Sequence, residues 1–302
     1  MSRVSRTGAS SDTSGTYSLS HLTLLDCSVP ELVFIASRAG YDMVSPRLIQ
    51  MGVEGESACS PLDKKTIQAT RCAMEVTGVG IHDVELLQIK DDFDVSVYEE
   101  GIAVSAELGA ERLTASTWSD RDNNRNHIVD SFAALCEMAA GYGLSVSMEF
   151  PTFSRLKNLN ETVDIVKAAD CENGGILIDT LYTHLSRVDP SELEGLPPEW
   201  FSYIQICDIP PGVPDDEAAM IYLARNFRLY PGEGAIDFAA IVKRLLPVHF
   251  SIELPNRNRI TELGYEEHAR RCLQATKNML ASLHSNPDTR HSHTGPGEPS
   301  SR

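Results

Sequence analysis

The stretch Leu144-Ser-Val-Ser-Met-Glu-Phe150 decides how the chain is read. Leu144, Val146 and Met148 alternate with small polar residues, as in a strand packed on one face. The stretch delivers one acidic side chain, Glu149, at its C-terminal end. A carboxylate is costly to bury there unless it is paired or bound to a cation. Three later stretches repeat the arrangement: Gly175-Ile-Leu-Ile-Asp179, Tyr203-Ile-Gln-Ile-Cys-Asp208 and His249-Phe-Ser-Ile-Glu-Leu254. They present Asp179, Gln205 with Asp208, and Glu253. Strands that each carry an oxygen donor read as one hard-metal site assembled from distant sequence.

Working outward, the pattern predicts strands at 22–26, 41–45, 82–89, 112–116, 144–150, 175–179, 203–208 and 249–254. Helices are expected at 30–39, 61–77, 95–108, 127–142, 158–169, 190–193, 237–246 and 265–283, with a long acidic loop over 210–234. Pro30 suits a first helical turn, and Gly40, Gly78, Gly109 and Gly143 end helices. Strand–helix alternation with short connections argues for a parallel sheet. Eight such units in a chain of 302 residues suit a single α/β domain, a (β/α)₈ barrel. A doubly wound open sheet is the alternative, but no Gly-x-Gly-x-x-Gly follows the first strand. Pro231-Gly-Glu-Gly234 also lacks the Lys-Ser/Thr of a phosphate loop.

Composition narrows the partners. A net charge of −17 argues against nucleic acid, whose phosphates call for an excess of Lys and Arg. A small-molecule substrate is expected instead. No stretch has the apolar length of a membrane span. The seven cysteines are scattered with no Cys-x-x-Cys pair, which reads as reduced thiols in a cytoplasmic protein. Residues 1–19 are rich in Ser, Thr and Gly, lack the apolar run of a secretory signal, and are expected to be a disordered tail. The Pro/Ser/Gly/His-rich segment 285–302 reads as a second tail, leaving 20–284 as the barrel.

In a barrel, catalytic groups sit at the C-terminal ends of the strands. Glu149, Asp179, Gln205 and Glu253 fall there, and such an oxygen set favours Mn²⁺, Mg²⁺ or Co²⁺ over a thiolate-preferring metal. A bound ion would offset the repulsion among the carboxylates. The plainer alternative, that each carboxylate caps a helix or pairs with Arg, weakens when all occupy matching strand ends.

The segments Ser147-Met-Glu-Phe150, Leu177-Ile-Asp-Thr180, Tyr203-Ile-Gln-Ile-Cys-Asp208, Arg228-Leu-Tyr-Pro-Gly-Glu-Gly234 and Ser251-Ile-Glu-Leu-Pro-Asn256 together resemble the xylose isomerase-like TIM barrel superfamily, within it the sugar phosphate isomerases/epimerases. The resemblance covers roughly residues 20–284. It implies a divalent metal held by Glu149, Asp179, Gln205 and Glu253, with the two glutamates shuttling a proton beside a metal-polarised carbonyl. Two positions depart from the family pattern. Tyr182 stands where many members have a substrate-contacting His, with His184 two residues on. Gln205 stands where the epimerases usually have His, and resembles the bacterial 3-dehydroshikimate dehydratases.

Further candidates for substrate contact are Glu85 at the end of the third strand, Trp118 after the fourth, and Arg228 in a loop over the barrel mouth, with Arg225 and Arg187 behind it. His21, His82 and His249 are read as structural, at strand starts. The resemblance therefore implies an isomerase or epimerase of a sugar-like keto or polyol substrate. Two alternatives stand beside it: a lyase of the 3-dehydroshikimate dehydratase type, and a catalytically silent binding barrel. Barrels of this type often pair, so a homo-oligomer is the further expectation for partners.

Overall fold

A computed structural model of the chain describes residues 15–53, 55–119, 124–212, 214, 216–245 and 248–285. The expected tails at 1–14 and 286–302 lie outside the described residues. Eight parallel strands close into a barrel: β1 Tyr17–Ser20, β2 Met43–Ser45, β3 Gly80–Ile81 with Asp83–Ile89, β4 Arg112–Thr117, β5 Ser145–Met148, β6 Gly174–Ile176 with Ile178–Asp179, β7 Tyr203–Ile206 and β8 His249–Ile252. Hydrogen bonding runs β3-β2-β1-β8-β7-β6 along one arc and β3-β4-β5-β6 along the other, so β3 and β6 join the two arcs. β8 closes on β1 through Ser18↔Ser251.

The helices are α1 Val29–Ala39, α2 Lys64–Thr77, α3 Glu99–Glu107, α4 Arg125–Ala140, α5 Leu159–Ala169, α6 Thr180–Leu185, α7 Glu217–Asn226, α8 Phe238–Leu245, α9 Arg257–Leu263 and α10 Tyr265–Ser285. Their ends follow local chemistry. Ser28 and Glu31 form a capping box at α1, and Gly40 closes that helix at φ +91°. Asn158 accepts from Glu161 N at the start of α5.

The alternation that marked the strands also decides what faces where. In β5, Val146 and Met148 are fully buried apolar residues, and their period-two partners Ser147 and Glu149 point to the opposite face. That second face is the lumen, where Ser18, Ser45 and Ser251 hydrogen-bond one another. Lower in the lumen Asp83 takes hydrogen bonds from Ser45, Thr114 and Tyr203. Burial opposes its charge, yet His82, the Ser45 hydroxyl and the Arg112 charge hold its pKa below the ordinary value. The His82 and His249 rings stack there at 3.6 Å, at the N-terminal ends of the strands, as expected for structural histidines.

The sequence-based boundaries move in four places. The first strand is Tyr17–Ser20, inside the stretch expected as a tail, while 22–26 contributes to a 3₁₀ turn at His21–Leu24. His21 therefore follows β1 rather than starting it. Its ring bonds Cys27 O at 2.9 Å and Arg47 N at 3.1 Å. The acidic loop expected over 210–234 contains α7, and the segments after β6 and β8 contain α6 and α9. Glu85 lies within β3 rather than at its end, beside a register shift against β4 between Val84 and Leu87, a bulge of the kind that re-aims side chains.

Candidate active site and metal centre

Four strand ends build the site. Glu149 directly follows β5, its backbone extending the ladder by donating to Ala115 O at 2.8 Å. Asp179 ends β6 and caps α6, accepting from Leu181 N at 2.7 Å. Gln205 lies in β7 in register with Asp179. Glu253 directly follows β8. Carboxylate oxygens of Glu149, Asp179 and Glu253 lie within 4.8 Å of one another. All four side chains are buried, none more than 7% exposed.

Arg228 sits behind this cluster. Its segment is wedged between the extensions of β7 and β8, with Leu229 bridged to Asp208 and Phe227 bridged to Asn256. The wedge drives the guanidinium inward to 0% exposure. Nη1 donates to Asp179 Oδ2 at 2.8 Å and Nη2 to Glu253 Oε2 at 2.7 Å. Nε is taken by Ala224 O at 2.8 Å. Asp208 holds the following turn in place by accepting from Gly232, Gly234 and Ile236 N.

Glu85 adds a fourth carboxylate, 2.9 Å from Gln205 Nε2. Arg47, two residues past β2, reaches Glu85 at 3.3 Å and Glu56 at 3.5 Å. Ser20 Oγ donates to Glu253 Oε1 at 2.9 Å. Among the described residues only Arg228 and the shared Arg47 face Glu85, Glu149, Asp179 and Glu253, so the buried carboxyls outnumber the cations by two. The strain shows in the acidities. Burial, then Glu253, Asp179 and Glu85, push Glu149 well above the usual carboxylate range. Burial pushes Asp179 up to about 6 despite Arg228.

Two atoms lack partners. Gln205 Oε1 is buried with no hydrogen bond, and Glu149 is the one site carboxylate that no donor among the described residues reaches. An orphaned amide oxygen and an unpartnered carboxylate beside two further carboxylates fit a divalent cation, both in charge and in donor type. Glu149, Asp179, Gln205 and Glu253 would hold it.

Above the cluster opens a cavity of about 540 Å³. Glu85, Glu149 and Glu253 reach it from below, and Trp118, Phe153 and Tyr182 form one wall. The aromatic rings follow one another at 6.1 and 5.7 Å. Glu85, Trp118 and Tyr182 line the cavity, while Asp179 and Gln205 lie beneath it. Arg228 and His184 do not line the cavity. Arg228 is turned inward by the wedge rather than lying over the mouth. His184 belongs to the last turn of α6. Sequence reading passed over Arg47, Ser20 and Phe153. Arg47 and Ser20 carried a signal, because both sit where a short strand ends, as the acidic residues do.

The family model for the xylose isomerase-like TIM barrel matches residues 34–276. The chain belongs to that family. A 3-dehydroshikimate dehydratase of Pseudomonas aeruginosa is 31% identical over 116 residues, 38% of this chain and 18% of that protein. The 3-dehydroshikimate dehydratase of Pseudomonas putida is 27% identical over 143 residues, 46% of this chain and 22% of that protein. The chain thus spans about a fifth of the length of these curated relatives. Among solved structures, an IolI protein with a bound zinc atom superposes with a TM-score of 0.74 at 16% identity, covering 89% of this chain and 99% of that one. That likeness concerns the barrel fold. No helix among the described residues is long and apolar enough to cross a membrane.

Proposed function

We propose that this xylose isomerase-like barrel is a divalent-metal-dependent enzyme that removes a proton beside the carbonyl of a hydroxylated substrate. The observation that carries the reading is the inequality of its two glutamates. Glu149 is buried, faces the cavity, and has no hydrogen-bond donor among the described residues. Burial and its carboxylate neighbours raise its pKa, which makes it a stronger proton acceptor than an ordinary carboxylate. Glu253 is held by Arg228 on one oxygen and by Ser20 and Gln205 on the other. One free base supports a lyase, in which the proton leaves one carbon and a hydroxyl departs from the next. A two-base epimerisation would need Glu253 free as well. The two curated relatives named as 3-dehydroshikimate dehydratases, and Gln205 in β7, support the same choice.

Bound at Glu149, Asp179, Gln205 and Glu253, the cation would polarise the substrate carbonyl and make the neighbouring C–H more acidic. Glu149 takes that proton. Glu253, held in place by Arg228, orients the reacting carbons. The Tyr182 hydroxyl is held protonated by burial and by the nearby Glu149 charge, so it stands as an O–H donor for the departing hydroxyl. Trp118, Phe153 and Tyr182 keep that side of the cavity dry.

Elemental mass spectrometry on the purified chain tests the metal, with Asp179→Ala as the variant that should lose it. Turnover of 3-dehydroshikimate and of ketoses, each with Mn²⁺, Mg²⁺ or Co²⁺, separates lyase from epimerase. Glu149→Gln should lower turnover by about 10²–10⁴-fold with folding retained. Normal turnover in that variant, or no bound ion after supplementation, would refute the site.

A further inference from the structure

The cavity carries a second set of charges that the proton-abstraction chemistry does not use. Three arginines line it: Arg47, Arg225 and Arg257. Arg47 is spoken for by Glu56 and Glu85. Arg225 and Arg257 have no side-chain hydrogen bond or ion pair among the described residues. Most arginines elsewhere on the described surface are paired, including Arg38, Arg125, Arg244, Arg259 and Arg270. Two unpaired guanidiniums on the wall of an otherwise acidic pocket, in a chain of net charge −17, therefore stand out.

The backbone places them together. Phe227 and Asn256 form an antiparallel bridge, and Arg228 N donates to Pro255 O at 3.1 Å in the same pairing. Antiparallel pairing sets Asn226 against Arg257, so Arg225 and Arg257 flank one bridge at the cavity rim. Asp26 also lines the cavity and sits against Tyr265.

α7 gives the same answer from its own periodicity. Ala218, Ile221, Tyr222 and Arg225 all line the cavity, and their spacing of three and four places them on one helical face. Only Leu223 and Ala224 of this helix are buried. A helix face that lines a cavity and ends in an unpaired arginine is suited to meet the anionic end of a ligand.

The geometry points to an anion subsite formed by Arg225 and Arg257, which selects a substrate carrying a carboxylate or phosphate at the end remote from the reacting carbonyl. It deepens the proposed reaction and rests on it for which end reacts. Guanidinium forks suit either anion, each charge-assisted bond being worth roughly tenfold in affinity or more.

Calorimetric titration of the full chain, supplied with Mn²⁺, uses matched pairs. Shikimate against methyl shikimate reads a carboxylate, and D-fructose 6-phosphate against D-fructose reads a phosphate. The charged member of at least one pair should bind about tenfold tighter or more, identifying which anion the subsite takes. Arg225→Gln and Arg257→Gln should each remove about tenfold of that preference, while the neutral member changes less than about twofold and unfolding midpoints stay put. Arg225→Lys should keep part of the preference. Equal affinity for charged and neutral members, binding of neither pair, or a preference that survives the double variant would overturn the subsite. Manganese stoichiometry measured in the same samples separates the two readings. In the wild type, no anion preference with one ion bound defeats the subsite alone, whereas no bound ion with the preference present defeats the metal reading alone.

Discussion

Replacing Arg228 by Met tests the electrostatic account of the site most directly. Met keeps much of the aliphatic stem and removes the charge, so the change isolates what the guanidinium does. Arg228 is fully buried and contacts Asp179 at 2.8 Å and Glu253 at 2.7 Å. Removing one partner of a buried ion pair leaves an uncompensated charge and costs about 3–5 kcal/mol. Unfolding entropy of ~2.1 cal/mol/K per residue, over roughly 270 folded residues, gives ~0.6 kcal/mol/K, so a loss of ~4 kcal/mol lowers the midpoint by about 7 °C. The pH dependence has a definite sign. Asp179 already stands at about 6 in the fold against 3.8 ordinarily. A carboxyl raised in the folded state stabilises fully only below its unfolded pKa, and that stability is lost as pH rises through the folded value. The deficit of Arg228→Met should therefore be largest near pH ~8 and shrink below pH ~6, where the stranded carboxylates take up protons. Saturating Mn²⁺ should shrink it too, since the ion binds only the folded state. Thermal unfolding in EDTA across that range, with and without metal, is the assay. A variant as stable as wild type near pH ~8, or a deficit of the same size near pH ~5, would show that Arg228 acts by packing and not by charge.

Two further outcomes follow from the same geometry. Metal affinity should fall as pH drops below about 6, because Asp179 at about 6, together with Glu149, raised above the usual carboxylate range, must lose protons to coordinate; titration in buffers of different ionisation enthalpy should read proton release on binding, and a pH-independent affinity would remove those groups from the ligand set. Gly234→Ala should destabilise the chain by more than about 1 kcal/mol, because a Cβ there would collide with the backbone oxygen of Ile209 and the Asp208 carboxylate; an unchanged denaturation midpoint would show that the turn held by Asp208 gives way freely.

The barrel was legible because its strands are short and their two faces differ in chemistry. Val146 and Met148 against Ser147 and Glu149 state both the strand and its register, and the same contrast recurs in β7 and β8. The four positions Glu149, Asp179, Gln205 and Glu253 were legible for the same reason, since each is a polar residue of ligand type on the face opposite the apolar residues of a short strand or its immediate extension. The first strand was misplaced because Leu22-Thr-Leu-Leu25 is more apolar than Tyr17-Ser-Leu-Ser20. Tertiary pairing with β8 and β2 settles the matter, through Leu19↔Ile252 and Leu19↔Val44, and neither partner is visible from the local run. Helix α7 was missed because its buried face is only Leu223 and Ala224, too little to show a core-facing stripe; its remaining apolar residues face the cavity. Glu85 was found but placed at a strand end, since a bulge leaves no mark in the residue pattern.

Arg228 shows where sequence spacing stops being informative about mechanism. Glu149 and Glu253 occupy equivalent positions, each one residue past its strand, and spacing alone makes them an interchangeable proton-shuttling pair. Arg228 removes that equivalence from 25 residues away from Glu253. It does so because Phe227 and Leu229 bridge to the extensions of β8 and β7, which leaves the side chain between them no direction but inward. One glutamate acquires a permanent cationic partner. The other keeps an open carboxylate, crowded by Glu253, Asp179 and Glu85, that gains from taking a proton. The reaction class proposed for this barrel rests on that division of labour, and so on a backbone pairing in a stretch whose sequence reads as loop.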